Sequence, residues 1–280
     1  MKYLCLFLLL VSHLVNGKVV RSLDQVDAAI KYSARQKYYA QEMYGAKPDD
    51  LLGFDFYKNR QNFSKILRVI DPRLSSPREW DFIGLKPWPS QANTYIFIAG
   101  RQNENPQNRK IVLAVVKKDQ HGAFSLQAKP WIDVSDSPMT NAFLMSDDIG
   151  NIVTGMPVRY DFAPYRLSPN VLAFGIRYVA HTFYAGGSVR NEAMTLFAII
   201  QGQLRPVFAA DTYRLADYAG EWLEDGTRDR DIQENKYIIQ ILPHSTNGMK
   251  DLKWSEHGKG KKDKPVIYRW NAAKKEYVQS

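Results

Sequence analysis

In "VLAFGIRYVAHTFY", residues 171–184, Leu172, Phe174, Ile176 and Tyr178 stand at every second position. That period puts all four on one side of an extended strand, and a chain that repeats it must build sheets with a side to bury. "NTYIFIAGR", "RKIVLAVVKKD" and "AFSLQAK" form a first group of such segments, and residues 171–184 open a second with "EAMTLFAIIQ" and "QLRPVFAAD". A third holds "ENKYIIQIL", "MKDLKWSE", "PVIYRW" and "KEYVQ", where Val266, Tyr268 and Trp270 share one face. Tight turns end the groups in "KKDQHGAF", "IIQGQLRPVF" and "RWNAAKKEYV". Their spacing is too irregular for a solenoid; related hairpins, or the ordinary hairpins of any antiparallel protein, both account for them. The expected fold is α+β, predominantly antiparallel β in meanders and hairpins, with an N-terminal helical segment.

That segment is "RSLDQVDAAIKYSARQKYYAQEMYG". Ser22 as N-cap with Gln25 three residues on makes a capping box, and Asp24 and Asp27 suit the positive helix end. Leu23, Val26, Ile30, Ala34 and Tyr38 form a stripe near helical spacing, ended by Gly45 and Pro48. The spacing predicts a helix docked on the body. Further on, "NFSKILRVID" predicts a short helix stopped by Pro72. "SSPREWDFIGLKPWPSQ" reads as an irregular stretch pinned by Trp80 and Trp88. Three regions follow: a leader over 1–17, a helical and irregular region over 18–92, and an antiparallel β region over 93–280. Within the last, the Asp/Ser/Pro-rich "WIDVSDSPMTN", residues 131–141, marks a possible internal boundary.

The chain opens with MKYLCLFLLLVSHLVNG, one lysine before an apolar run of 13 residues from Tyr3 to Val15. This has the form of a signal peptide cleaved after Gly17, and falls short of the roughly 20 residues that span a bilayer. Cys5, the single cysteine, leaves with it. The mature chain then has no disulfide and no thiol nucleophile or thiolate ligand, so its core must suffice by itself. The expected location is the periplasm in a bacterium and the exterior otherwise, with no transmembrane span after cleavage. The formal charge is +9, and Lys259, Lys261, Lys262, Lys264, Arg269, Lys274 and Lys275 face only Glu256, Asp263 and Glu276 at the C-terminal end. A basic surface of this kind attracts acidic partners, or serves as a solvated loop. Export argues against nucleic acid.

Little in the chain has the form of a catalytic site. His121, His181, His244 and His257 show no metal-ligand spacing, and no nucleophile elbow, phosphate loop or dinucleotide fingerprint occurs. Ser188 in "YAGGSVRNE", near His181, reads as hairpin-loop chemistry. "GEWLEDGTRDRDIQE" gathers Glu221, Glu224, Asp225, Asp229, Asp231 and Glu234, and two such carboxylates could serve a glycosidase. Arg228 and Arg230 interleave with them as in a self-paired loop.

"STNGMKDLKW" resembles the calcium-loop-plus-strand segment of FG-GAP-type β-propeller repeats, whose usual form is DxNxDGxxDL. The resemblance spans residues 243–254 and places Gly248 on the motif's glycine, and Asp251 and Leu252 on its Asp-Leu. Ligand positions then fall on Pro243, Ser245 and Asn247, so one carboxylate, Asp251, is left for a hard dication. A strand-turn-strand segment without an ion is the expectation, with Asn247-Gly248 supplying the turn.

Three functions fit these observations. The first is a non-enzymatic exported binding protein, such as an inhibitor or immunity protein for an envelope-acting toxin or hydrolase, with an acidic protein as partner. Lys259, Lys261, Lys262 and Lys264 would steer it, and Trp254 or Trp270 would anchor it. The second is an envelope glycan hydrolase using carboxylates within 221–234, and the third an envelope structural or assembly factor. No catalytic residue, cofactor or metal is assigned.

Overall fold

The computed structural model describes residues 18–21, 25–33, 35–36, 56–74, 80–101, 110–134, 143–146, 152–257 and 264–280. The leader lies outside the described residues, as do residues 22–24, 34 and 37–45 of the predicted N-terminal helix and residues 135–141 of the possible boundary. Antiparallel strands dominate, with few helices, as the alternating segments require.

The first sheet contains β2 (Phe82–Pro87), β3 (Thr94–Arg101) and β4 (Lys110–Lys118). Beyond β4 it is completed by two short strands, β5 (Phe124–Leu126) and β6 (Trp131–Val134). Its strands are apolar on both faces because both are covered. Phe97, Ala99, Ala114 and Val116 meet Phe63, Ile66 and Leu67 of α1 (Phe56–Ile70), a helix made amphipathic by that i, i+3, i+4 stripe. Ile96, Ile98, Ile111, Leu113 and Val115 point the other way, into a core shared with the second sheet.

That second sheet is a meander of β9 (Met156–Ser168), β10 (Val171–Tyr184), β11 (Gly187–Ile200) and β12 (Gln203–Trp222), continued by β13 (Arg228–Thr246). Phe174, Ile176, Tyr178 and Phe197 face the first sheet, and burying each such side chain contributes about 2–3 kcal/mol. Between the sheets, Phe143 packs against Trp131, Tyr178 and Phe197; it leads into the ladder of β7 (Leu144–Ser146) and β8 (Ile152–Thr154).

β13 divides its pairing. Residues up to Lys236 pair with β12; from Tyr237 on, the strand pairs instead with β14 (Met249–Glu256). β14, β15 (Val266–Asn271) and β16 (Glu276–Gln279) thereby form a third layer over the far face of β9–β12. Leu252, Trp270 and Tyr277 pack there on Leu167, Met194, Leu196 and Phe208. Where β13 departs, β12 carries a bulge: Tyr213 lies opposite Glu192 and Asp211 opposite Ala193, so Thr212 is the extra residue.

Beside the third layer, the same face of β12 and β13 is crossed by an N-terminal strap. Its described residues comprise β1 (Lys18–Val20), paired with β13, a helical turn over Val26–Ala29, and residues 30–33 and 35–36. Val26, Ala29 and Ile30 are buried against Tyr213, Leu215 and Ile232.

Several sequence expectations need correction. The helix expected from Ser22 is interrupted: a turn over Val26–Ala29 ends where Ile30 turns extended, and helical geometry resumes at Ser33, with the Gln36 N–H on the Tyr32 carbonyl at 2.9 Å. Glu234 draws that turn out, taking the Lys31 N–H at 2.5 Å, while Gln25 accepts from the Arg21 N–H. The stretch read as irregular contains β2, an edge strand whose Phe82 ring lies over Gly100, where a Cβ would collide with it. Residues 131–134, assigned to a boundary, are β6. The boundary expected at residue 92 falls in the turn joining β2 and β3, which are hydrogen-bonded neighbours. The "GEWLEDGTRDRDIQE" loop is instead the end of β12, a short turn and the start of β13.

Candidate functional site

Departure of β13 leaves one edge of β12 without a strand partner among the described residues over residues 206–211. Pro206 contributes no N–H there, as suits an edge. The Trp254 indole N–H donates to the Asp211 carbonyl at 2.8 Å and caps the upper end. At the lower end Lys129 bridges Gly202 and Leu204 through its backbone. Between the layers opens a recess of about 320 Å³ lined by Tyr178, Ala193, Ala209, Ala210, Asp211, Trp254 and Tyr268. The alanines make room, and the rings of Tyr178, Trp254 and Tyr268 provide walls.

Trp254 is fixed from behind by Tyr237, stacked at 4.6 Å between centroids and 16° between planes. It is also paired in register with Val266, so it stands at the root of the β14–β15 loop that carries the lysines. Loss of solvent around Asp211 raises its carboxyl above the usual aspartate range. Lys264 is exposed at the end of that loop, while Lys259, Lys261 and Lys262 lie outside the described residues. Trp270 is 5% exposed, edge-on to Tyr277 in the core beneath the third layer. Its ring is spent on packing, which removes it from the surface where an anchoring role was expected.

A second, buried constellation lies on the face of β9–β12 away from the first sheet, beneath the strap. Glu192, 0% exposed, accepts from Arg35 at 2.7 and 2.9 Å and from Arg159 at 3.1 Å to each oxygen. Arg177 donates to it at 2.7 Å and the Thr212 hydroxyl at 2.9 Å. Arg177 also holds Asp161, at 2.6 and 2.8 Å. Burial by itself would raise the Glu192 pKa, but the Arg35 hydrogen bonds and the charges of Arg35, Arg159 and Arg177 outweigh it and hold the carboxyl well below the ordinary glutamate value. The Arg35 guanidinium also lies over the Tyr213 ring, 4.4 Å from its centroid, and the Tyr213 hydroxyl donates to Glu234 at 2.8 Å.

The carboxylates of the acidic stretch go to separate partners. Asp225 closes its own turn on the Thr227 N–H and hydroxyl, Asp231 takes Gln233, and Glu234 takes Tyr213 and Lys31. Ser188 sits opposite Phe183 in the β10–β11 ladder.

At residues 243–254 the chain makes a two-residue hairpin, with Asn247 and Gly248 both at positive φ, 51° and 82°. Asn247 turns its amide to the Trp270 carbonyl at 3.0 Å. Asp251 is buried opposite the bulge of residues 242–244, with His244 Nε2 at 3.2 Å and Arg269 Nε at 3.7 Å; its Oδ1 has no hydrogen bond among the described residues. Among those residues no three His, Cys, Asp or Glu side chains come close enough together to hold a metal.

Sequence reasoning missed Tyr178, Asp211 and Tyr268 in the recess, and Arg35, Arg159, Arg177 and Glu192 in the buried cluster. For the latter a signal existed. Arg177 falls on the face of β10 opposite Phe174 and Ile176, and Glu192 opens the apolar run "EAMTLFAII"; charges there in a sheet buried on both sides must find each other. No protein-family model, curated protein or solved structure matches the chain. The fold and the recess define a predominantly antiparallel β protein with an aromatic cleft at a sheet edge. Among the described residues no helix is long and apolar enough to cross a membrane.

Proposed function

We propose that this is an exported, non-enzymatic binding protein that captures an acidic protein partner at the cleft beside β12, in the manner of an inhibitor or immunity protein. The observation that carries this reading is the position of Trp254. It walls the recess, leans on Tyr237 and stands at the root of the lysine-rich loop. A fixed aromatic next to a run of lysines is the arrangement that interfaces use, the charge steering encounter and the ring holding the complex. Lys259, Lys261, Lys262 and Lys264 are assigned to steering. Trp254 and Tyr268 are assigned to the contact itself.

The test places a photo-cross-linking residue at position 264 and, on the helix that covers the outer face of the first sheet, at position 65. An acidic protein should be trapped from position 264 alone, with loss of yield in high salt. Trp254→Ala should weaken the purified complex about 30-fold, as loss of a central aromatic does. Identical products from both positions, or capture indifferent to salt and to Trp254→Ala, would overturn the assignment.

A further inference from the structure

The strap differs from the rest of the fold in how it is held. β1 contributes three paired residues, and the helical turn has four residues and no side-chain cap. What fixes it is the groove. Val26, Ala29 and Ile30 fill an apolar floor of Tyr213, Leu215 and Ile232, and Lys31 is caught through its N–H by Glu234. Arg35 enters a pocket with two matched walls, the bidentate Glu192 carboxylate and the Tyr213 ring face. A planar guanidinium between a carboxylate fork and an aromatic face is recognition specific to arginine, which a lysine ammonium cannot reproduce.

Two features make this segment replaceable. Without Arg35, Glu192 still holds Arg159, Arg177 and Thr212, so departure of the strap leaves no orphaned buried charge. Departure does expose Tyr213, Leu215 and Ile232, a floor that needs an apolar cover. The segment that matches floor, Glu234 and guanidinium pocket together is the strap itself.

We propose that this groove is an arginine-recognition site which the strap of a second copy of the chain fills in exchange for its own, linking two copies through β1, the turn over Val26–Ala29 and Arg35. It is a separate groove from the cleft beside β12, floored by Tyr213, Leu215 and Ile232 instead of Ala209, Ala210 and Asp211, and does not depend on the partner assigned there.

The test exploits the absence of cysteine after Cys5. Val19 and Asp231 are opposite one another in the β1–β13 ladder, a separation that a disulfide spans. A double variant, Val19→Cys with Asp231→Cys, should close this bond within one chain, showing that the variant is folded and the geometry correct. Copies carrying Val19→Cys alone are then mixed at high concentration with copies carrying Asp231→Cys alone. A 19–231 heterodimer should form at about ten times the yield obtained when Lys264→Cys replaces Asp231→Cys. Adding Arg35→Gln to the copy with Val19→Cys should reduce that yield about tenfold. Heterodimer no more abundant than the Lys264→Cys control, yield unaffected by Arg35→Gln, or failure of the double variant to close internally would each overturn the proposal.

Discussion

Replacing Glu192 by Gln keeps the side chain's shape and removes its charge, which isolates the buried cluster from simple packing. Three guanidiniums converge on this carboxylate, at 2.7 Å from Arg35, 3.1 Å from Arg159 and 2.7 Å from Arg177, and none of the three side chains is more than 19% exposed. A Gln amide also brings an N–H₂ donor toward groups that only donate, so at least one arginine contact becomes repulsive. Removing one partner of a buried pair costs about 3–5 kcal/mol, a large share of the roughly 5–15 kcal/mol that holds a typical domain. For a chain of this size that is a fall in Tm of about 6–20 °C. The pH dependence adds a second readout. The folded pKa of Glu192 is depressed, so its contribution is complete above the unfolded value of about 4.5 and is lost as pH falls from there through the folded pKa. Thermal unfolding of the wild type should therefore weaken below about pH 4.5, and Glu192→Gln, already lacking the contribution, should weaken less steeply. A variant that loses less than about 1 kcal/mol at neutral pH and keeps the wild-type acid slope would refute the reasoning.

Two glycines at positive φ should respond differently to alanine. At Gly187, φ 148°, a Cβ would run into the Asp217 carbonyl of the neighbouring strand, so Gly187→Ala should cost more than about 2 kcal/mol in denaturant unfolding. At Gly248, φ 82°, nothing lies near the added atom, and Gly248→Ala should cost only the backbone term of about 1–2 kcal/mol; a reversed order would contradict the geometry. Millimolar calcium should leave Tm unchanged, because Asp251 offers a lone carboxylate beside His244 and Arg269. A rise in Tm that Asp251→Asn abolishes would show that the hairpin holds an ion after all.

Strands with a consistent period of two were legible in the sequence: β10 was bounded correctly at residues 171–184 and β14 at 249–256. So was the Asn247-Gly248 turn, because positive φ at two successive positions is a local demand that few residues meet. The strap was not. Its stripe of Val26 and Ile30 suits a helix or a groove equally well, and the group that ends the helical turn, Glu234, lies 203 residues away from Lys31. β9 went unforeseen because Arg159 and Asp161 interrupt its apolar pattern, and they do so to serve Glu192 and Arg177 on other strands. Trp254 and Trp270 occupy equivalent alternating positions in neighbouring segments. Only the divided pairing of β13, which sets one beside an open edge and the other under a layer, tells them apart.

That shared strand also bears on how the molecule comes apart. One half of β13 is laced to β12 and the other to β14, so the third layer cannot loosen without pulling on the strand that finishes the second. β9–β12 in turn supply one wall to each of the two cores on either side of them. Layers joined through common members melt together. The described body should therefore lose its structure in one cooperative step, with hydrogen exchange in β10, β11 and β12 reporting a common opening free energy and with the strap exchanging first.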